Sequence, residues 1–213
     1  MCACRRRKQK FDIRLLYRQM RTDSHCQATE GSDFVDSVFE EHFAKATAAG
    51  LIRGAYHFAL PSTSSGALQA EHFIQNGGEW VNDGITLPGM LDLEYNHNAE
   101  KDGTDVCYGL SSSEMIFWIQ DFVTTYSRQS RRMPMIYTTA DWWKKCTDNS
   151  TAFAERTSLV LARYDTVVGR TPGGWPYITI WQYNDQFPFG GCSDVFNGNY
   201  RQLKILARGT DYA

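Results

Sequence analysis

Hydrophobic residues in this chain recur with two different periods. Some stretches repeat every three to four residues, which is typical of helices that bury one face, and others are short apolar runs, which are typical of strands. The first pattern predicts helices over residues 36–50, 66–78, 110–129 and the stretch after residue 199. The second predicts strands over residues 51–60, 86–95, 132–143, 158–165 and 177–184. Strands separated by helices indicate βα units and a parallel sheet, so the sequence predicts an α/β fold.

Two of the predicted helices carry further signals. In the long helix over residues 110–129, Glu114 follows Ser111 by three positions, which is the spacing of a capping box. The last helix is expected to turn Leu203, Ile205 and Leu206 inward.

Polar and aromatic residues recur where the predicted strands end. The five strands finish in YHF, DLEYN, YTTADWW, RYD and WQYND. In a (β/α) barrel the carboxyl ends of the strands form the rim on which active sites are built. No glycine-rich phosphate loop follows any strand, which argues against a dinucleotide-binding or P-loop fold. The pattern therefore favours a barrel with its site at this rim.

The first 27 residues do not follow the pattern. The start, MCACRRRKQK, is basic like a secretion signal but lacks the apolar segment of about 7–15 residues that such a signal needs. The stretch RTDSHC is too polar for a buried barrel strand. We therefore predict an atypical segment over residues 1–27, misassigned or disordered, followed by one domain over residues 28–213, which the family resemblance described below implies is catalytic.

Composition narrows the classes of partner. The net charge of −2 over 213 residues provides no basic field for nucleic acid or an anionic membrane surface. No apolar run approaches the roughly 18 residues of a membrane helix. The six cysteines show no zinc spacing and the histidines do not cluster near them, so we predict no metal and no cofactor. Cys107 and Cys146 lie in polar, loop-like surroundings and are either a disulfide of an exported protein or two free thiols.

One strand carries two acids in an apolar run. Residues 87–96 read LPGMLDLEYN and set Asp92 and Glu94 on the same face of the strand, with Cα atoms about 6.6 Å apart at roughly 3.3 Å per residue. Like charges this close raise one pKa, so one carboxyl keeps its proton while the other ionises, as glycoside hydrolysis requires. Two alternatives stay open. The pair is structural, bound to Arg163 or to tyrosine hydroxyls, or it belongs to a metal-dependent phosphodiesterase, which the scarcity of His and Asp at the other strand ends disfavours.

Several motifs together resemble one known family. In order and spacing, QATEGSDF, GAYHFALPSTSSG, LPGMLDLEYN, CYGLSSSEM, MIYTTADWW and WQYND are similar to the family 25 glycoside hydrolases, the Chalaropsis-type lysozymes. The resemblance runs from about Ala28 to the C-terminus. It implies an irregular (β/α) TIM-like barrel that cleaves the β-1,4 bond after N-acetylmuramic acid in peptidoglycan, with net retention. It also implies an extracellular enzyme that acts as a monomer.

The same resemblance assigns roles to individual residues. Glu94 corresponds to the general acid, and Asp92 to the carboxylate that stabilises the 2-acetamido group of the substrate or the charge at the anomeric carbon. The disulfide of the family falls on Cys107 and Cys146. Glu30 falls on the floor of the cleft, where a structural role is the alternative. The residues predicted to contact sugar, each with core packing as the alternative, are Tyr56, Phe58, Tyr137, Tyr164 and Gln182.

The chain departs from the family pattern near both ends. Members begin with a strand that carries an aspartate, and the only candidate here is Asp12, which lies too close to Ala28 to leave room for a helix and a second strand. Gln27 replaces a lysine of the family motif, and Cys192 stands where an acid is expected, with Asp194 nearby. A barrel without its first strand would expose sheet edges and open its core. Two functions are therefore open, an active muramidase and an impaired relative that only binds glycan.

Overall fold

The computed structural model describes residues 23–186 and 191–209. The strands in these residues are β1 (Asp23–Glu30), β2 (Phe34–Val35), β3 (Ile52–Phe58), β4 (Met90–Asp92), β5 (Met135–Thr139), β6 (Ser158–Ala162), β7 (Ile180–Asn184) and β8 (Ser193–Phe196). The helices are α1 (Phe39–Ala48), α2 (Gly66–Phe73), α3 (Ala99–Asp102), α4 (Ser112–Ser130), α5 (Ala140–Thr147) and α6 (Tyr200–Arg208). A π-helical turn, Ile74–Gly78, extends α2.

All eight strands belong to one sheet, ordered β2-β1-β3-β4-β5-β6-β7-β8. Six strands run parallel, namely β1, β3, β4, β5, β6 and β7, and the two outermost strands, β2 and β8, pair antiparallel with their neighbours. Within the described residues no ladder joins β2 to β8, so the sheet there is open. The fold is thus of the mixed α/β class, as predicted, and the carboxyl ends of six neighbouring parallel strands meet at one edge.

The interpretation of residues 23–27 as lying outside the barrel pattern was wrong. These residues form the first part of β1, which pairs with β3 from Asp23↔Ile52 to Glu30↔Phe58. Polar side chains in the second half of this strand, such as Gln27 and Thr29, have hydrogen-bond partners. Thr29 bonds to His57, for example, at 2.8 Å. Asp12 lies outside the described residues, as does the rest of the predicted atypical segment before residue 23.

Other sequence-based expectations also differ from the structure. The strand predicted to run to residue 143 ends at Thr139, whose side chain accepts from the Trp142 amide and begins α5. Trp142 and Trp143 are therefore buried in a helix and are not part of a strand end. Ile205 was expected to face inward and is instead 46% exposed, whereas Leu203 of the same helix is buried.

The helical spacing predicted elsewhere is confirmed. The capping box of α4 forms, because the Ser111 hydroxyl accepts from the Glu114 amide and the Glu114 carboxylate accepts from the Ser111 amide. α4 packs against α2 where Gly66 lets the two backbones meet. A Cβ at that position would lie 2.3 Å from the Trp118 carbonyl oxygen. Within the part of the chain that is described, no helix has the length and apolarity to cross a membrane.

Alternation along the strands divides the buried side chains into two cores. One core fills the space between the sheet and the helices and includes Leu91, Ile136 and Leu161. The other lies on the opposite face of the sheet and includes Met90 and Tyr137. Because side chains two positions apart share a face, Asp92 points to the second side, above Met90. Glu94 continues in the same direction just beyond the strand.

The amino ends of the strands carry a polar cluster around Arg53. This arginine is only 7% exposed. Its guanidinium donates to Thr47, to Thr86 and, at 2.8 Å, to the Asp83 carboxylate. Burial opposes the ionisation of Asp83, but hydrogen bonds from Arg53 and from the backbone and side chain of residues 85–86 outweigh it and lower its pKa to about 2. Three hydrogen bonds from the Arg53 guanidinium, one of them to a carboxylate, thus stabilise this end of the sheet.

A second polar network crosses from the sheet to α2 through His57. One ring nitrogen lies 2.8 Å from the Thr29 hydroxyl and the other 2.9 Å from the Gln69 side-chain oxygen. That oxygen also accepts from the Leu60 amide, while the Gln69 nitrogen donates to the Leu60 carbonyl, so the amide orientation is fixed. His57 must therefore donate from Nε2 and accept at Nδ1, which is the neutral imidazole. Burial lowers the pKa of His57 to about 4.

Candidate active site

Asp92 and Glu94 lie at the carboxyl end of β4, in the middle of the parallel sheet. Asp92 is in register with Phe58 of β3 and with Tyr137 of β5. The ladder continues beyond the strand, because the Leu93 amide donates to the Tyr137 carbonyl at 3.0 Å. Asp92 is 7% exposed and Glu94 is half-buried, so the first carboxyl lies deeper than the second.

The two acids have no basic partner within the described residues. Arg163, the candidate partner named above, pairs with Asp165 at 2.9 Å. Asp92 Oδ1 is buried without a hydrogen-bond partner. Buried carboxylates that serve a structural purpose are normally paired or bonded. The geometry therefore does not support a structural salt bridge to Arg163.

Burial raises the pKa of both carboxyl groups. The pKa of Asp92 lies well above its ordinary value, because burial penalises the charge and because the negative charges of Glu94 and, to a smaller extent, Glu30 add to it. Burial likewise raises the pKa of Glu94. Since two neighbouring carboxylates cannot both ionise cheaply, the pair is suited to hold one proton and one negative charge. This combination supplies a proton donor and an anionic stabiliser within one site.

Glu30 reaches the same edge of the sheet from β1. It ends that strand opposite Phe58, the residue that is also in register with Asp92. The Gln27 amide nitrogen lies 3.5 Å from its carboxylate. Glu30 thus adds negative charge beside the pair.

The predicted sugar-contacting residues divide into two groups. Tyr137 and Tyr164 both donate to the side-chain oxygen of Gln182, at 2.8 and 3.0 Å. Tyr137 and Gln182 are buried, whereas Tyr164 is half exposed, so the cluster extends from the interior to the surface beside the acid pair. Burial, followed by the charges of Asp92 and Glu94, raises the pKa of Tyr137.

Tyr56 and Phe58 are more deeply placed than a sugar-contacting role suggests. Tyr56 is part of the interior core, level with Met90 and below Asp92. Phe58 is 4% exposed and lies under His97, whose ring stacks on it with centroids 4.9 Å apart. A ligand in the cleft would therefore meet the imidazole of His97 before it met Phe58.

Two residues of this region were not assigned roles from the sequence. Asp194 lies on β8 in register with Gln182, and its charge, with those of Asp185 and Glu94, adds to the burial that raises the pKa of Tyr164. The stretch SDVF was too short to read as a strand, so its face could not be predicted. Tyr108 is buried, and burial followed by the charges of Asp92 and Glu94 raises its pKa. No periodic pattern marks a turn residue of this kind.

The loop that follows Glu94 is tied to α5 by a disulfide. Cys107 and Cys146 are bonded, with Cα atoms 5.5 Å apart, which confirms the pairing that the resemblance implied. No cluster of three or more His, Cys, Asp or Glu side chains suited to a metal ion occurs in residues 23–186 and 191–209.

Comparison with known proteins identifies the family. The sequence model of glycosyl hydrolases family 25 matches residues 17–192. The chain belongs to this family. The N,O-diacetylmuramidase of Arthroderma benhamiae is 50% identical over 183 residues, which are 86% of this chain and 75% of that protein. The N,O-diacetylmuramidase of a Chalaropsis species is 46% identical over 187 residues, 86% of each chain.

Solved structures of similar proteins have the same fold as this chain. The muramidase of Trichobolus zukalii is 52% identical and superposes with a TM-score of 0.89 over 93% of both chains. This family 25 protein is thus a glycoside hydrolase, and the two acids at the carboxyl ends of its strands have no basic partner among the residues described.

Proposed function

We propose that this protein is a muramidase that hydrolyses the β-1,4 bond between N-acetylmuramic acid and N-acetylglucosamine in bacterial peptidoglycan. The observation that carries the proposal is the pair Asp92 and Glu94, buried at the sheet edge without a basic partner in the described residues. The relatives named N,O-diacetylmuramidase and muramidase, at 46–52% identity, support the same reaction.

Glu94 is the general acid in the first step. It is the less buried of the two carboxyls, so it is better placed to reach a glycosidic oxygen in the cleft. As its proton passes to that oxygen, the bond to the anomeric carbon breaks and the aglycone leaves as an alcohol. The carbonyl oxygen of the substrate's own 2-acetamido group attacks the same carbon from the opposite face. The product of this step is a cyclic oxazolinium ion and ionised Glu94.

Asp92 stabilises that intermediate. Its buried oxygen without a partner can accept a hydrogen bond from the acetamido N–H, which favours the ionised form of Asp92 and leaves the shared proton on Glu94. In the second step a water molecule gives a proton to Glu94 and attacks the anomeric carbon, which opens the ring. The two inversions give net retention, and the enzyme regains its starting protonation.

The remaining residues of the edge bind the glycan. The cluster of Tyr137, Tyr164 and Gln182 lines one side of the acid pair, and the single side-chain oxygen of Gln182 fixes both phenol groups. The Gln182 amide nitrogen then remains a donor for a sugar hydroxyl. We assign Glu30 to the floor of the cleft, while Tyr56 and Phe58 act as support beneath it.

The wider setting follows from the same assignment. We infer that the chain completes an irregular (β/α) barrel and that the catalytic domain includes β1, so that it begins no later than residue 23. The substrate places the enzyme outside the cell, acting on glycan strands as a monomer. Neither a cofactor nor a metal is part of the proposed reaction, and nucleic acid and membranes are not among its partners.

The direct test compares the wild type with Glu94→Gln on a suspension of Gram-positive cell walls. The wild type is expected to lower turbidity and release reducing ends, and Glu94→Gln to lose at least about 100-fold of the rate because the proton donor is gone. Glu40→Gln, at an exposed position on α1, is the matched control and is expected to retain full activity. A folded wild type that binds insoluble peptidoglycan without releasing reducing ends would contradict the proposal and indicate a binding protein.

A further inference from the structure

Tyr108 has a backbone conformation that a tyrosine adopts only under constraint. Its φ angle is +64°, in the left-handed region, and its side chain is 7% exposed. Non-glycine residues in this region are strained, and such positions concentrate at functional sites. The surroundings of Tyr108 must therefore fix it.

The constraint comes from the turn over residues 105–110, which we name the Cys107 turn. The Asp105 carboxylate accepts from the amides of Cys107 and Gly109, at 2.7 and 3.2 Å, and the Asp105 carbonyl accepts from the Tyr108 amide at 3.0 Å. The disulfide between Cys107 and Cys146 joins the residue before Tyr108 to α5. Two kinds of bond thus hold the turn, one local and one to a helix.

The Cys107 turn is also connected to the acid pair. The Val106 carbonyl accepts from the Asn96 amide at 3.0 Å, two residues after Glu94. The Tyr108 hydroxyl donates to the Ala59 carbonyl at 3.3 Å, and the Ala59 amide donates to the Asp92 carbonyl at 3.0 Å. Tyr108 is therefore linked to the backbone of Asp92 through one residue.

The phenol lies within electrostatic range of the acids without bonding to them. Burial, followed by the charges of Asp92, Glu94 and Glu30, raises the pKa of Tyr108. Its proton is directed to the Ala59 carbonyl and not to a carboxylate. Because Ala59, which accepts from the Tyr108 hydroxyl, also bonds to the Asp92 backbone, the buried ring lies against the strand end that carries the pair and can keep water from it. Both carboxyl groups stay free to exchange a proton with substrate.

We propose that Tyr108 is a positioning residue for the muramidase reaction: the Cys107 turn holds its ring as the dry wall beside Asp92 and Glu94 and fixes the strand end that carries them. This role rests on the proposed function of the acid pair. The disulfide between Cys107 and Cys146 then contributes to catalysis as well as to stability, because it holds the turn that positions the ring.

The test measures the protonation of the pair directly, by carbon NMR of carboxyl-labelled Asp and Glu across pH, and the pH profile of wall hydrolysis in parallel. Tyr108→Gly accepts the positive φ without strain and removes the ring. It is expected to lower the apparent pKa values of the pair by about one unit, because water then reaches them. The alkaline limb of the rate profile should move with them, and kcat should fall at least about tenfold. KM should stay within about twofold, since the Tyr108 side chain is only 7% exposed and offers little surface to the substrate.

Three further variants test whether the loss of the ring, and not a general loss of stability, shifts the carboxyl titrations. Tyr108→Phe keeps the ring and is expected to titrate like the wild type. The double variant Cys107→Ser and Cys146→Ser frees the turn and should shift the titration in the direction of Tyr108→Gly by a smaller amount. Ala46→Gly, at a buried position on α1, lowers stability without changing the Cys107 turn, so it is the control and should leave the titration unchanged.

The outcomes are distinct for the two proposals. Wild-type carboxyl titrations in folded Tyr108→Gly, or in the folded double serine variant if the glycine variant does not fold, would overturn the positioning role. A shift in Tyr108→Phe as large as that expected for glycine would also overturn it, because the hydroxyl and not the ring would then be responsible. A wild type that shows the raised titrations and does not cleave peptidoglycan would overturn the proposed function alone.

Discussion

The buried imidazole of His57 makes the stability of the fold depend on pH. The folded protein holds His57 neutral, with its pKa lowered by burial to about 4 from the ordinary value of 6.5. The unfolded chain therefore binds more protons than the folded chain between these two values. Stability from this residue is fully present above about pH 6.5 and is lost as the pH falls towards 4.

The size of the effect follows from the two pKa values. At pH 5 the unfolded state gains about 2 kcal/mol over the folded state from His57 alone, and below pH 4 the loss approaches about 3 kcal/mol. The raised pKa values of Asp92 and Glu94 act with the opposite sign, because the folded state keeps their protons longer. The contribution of His57 must therefore be obtained as a difference between two proteins.

The assay is urea unfolding of the wild type and of His57→Gln at pH 7.5 and pH 5. Glutamine keeps a donor and an acceptor but does not titrate, so the variant should be less stable at pH 7.5 and should lose about 2 kcal/mol less than the wild type on going to pH 5. His42→Gln, on the half-buried face of α1, removes an imidazole outside this network and serves as the control. Parallel pH dependences for the wild type and His57→Gln would refute the neutral, doubly bonded imidazole.

Two other substitutions test the packing and the cleft. Gly66→Ala should destabilise the protein by at least about 2 kcal/mol in urea unfolding, because its Cβ would meet the Trp118 carbonyl at 2.3 Å. The control Gly103→Ala has no atom nearby but a φ of +71°, so it should lose only about 1 kcal/mol. Equal losses would contradict the close approach of α2 and α4. Gln182→Met removes the oxygen that accepts from Tyr137 and Tyr164. It should lower kcat/KM on peptidoglycan about tenfold with little change in melting temperature. An unchanged kcat/KM would show that catalysis does not depend on these two hydrogen bonds.

The regular part of the fold was predictable because its residues repeat with a clear period. β3 was predicted from its short, largely apolar run and is buried along its whole length, and α4 was predicted from its helical period. β1 was missed because its stability depends on partners distant in sequence, above all the bond between Thr29 and His57. The boundary between β5 and α5 was missed because Trp142 and Trp143 are apolar and suit either element.

The site was predictable only where two signals coincided. The spacing of Asp92 and Glu94 in an apolar run pointed to a shared face, and the family motif pointed to the chemistry. Asp194 and Tyr108 lacked such a combination. The first lies in a four-residue strand, and the second lies in a turn whose conformation depends on a disulfide. Properties that arise from contacts between distant segments are not visible in local periodicity.

The Arg53 cluster lies at the amino ends of the parallel strands, and the acid pair lies at their carboxyl ends. On β3, Arg53 and Phe58 are five positions apart, so roughly 16 Å of strand separates the two ends. Changes that raise heat resistance, such as shorter loops or added ion pairs, can therefore be made around Arg53, at a distance from the reacting sugar. Durability and turnover can be tuned in this scaffold almost as separate properties.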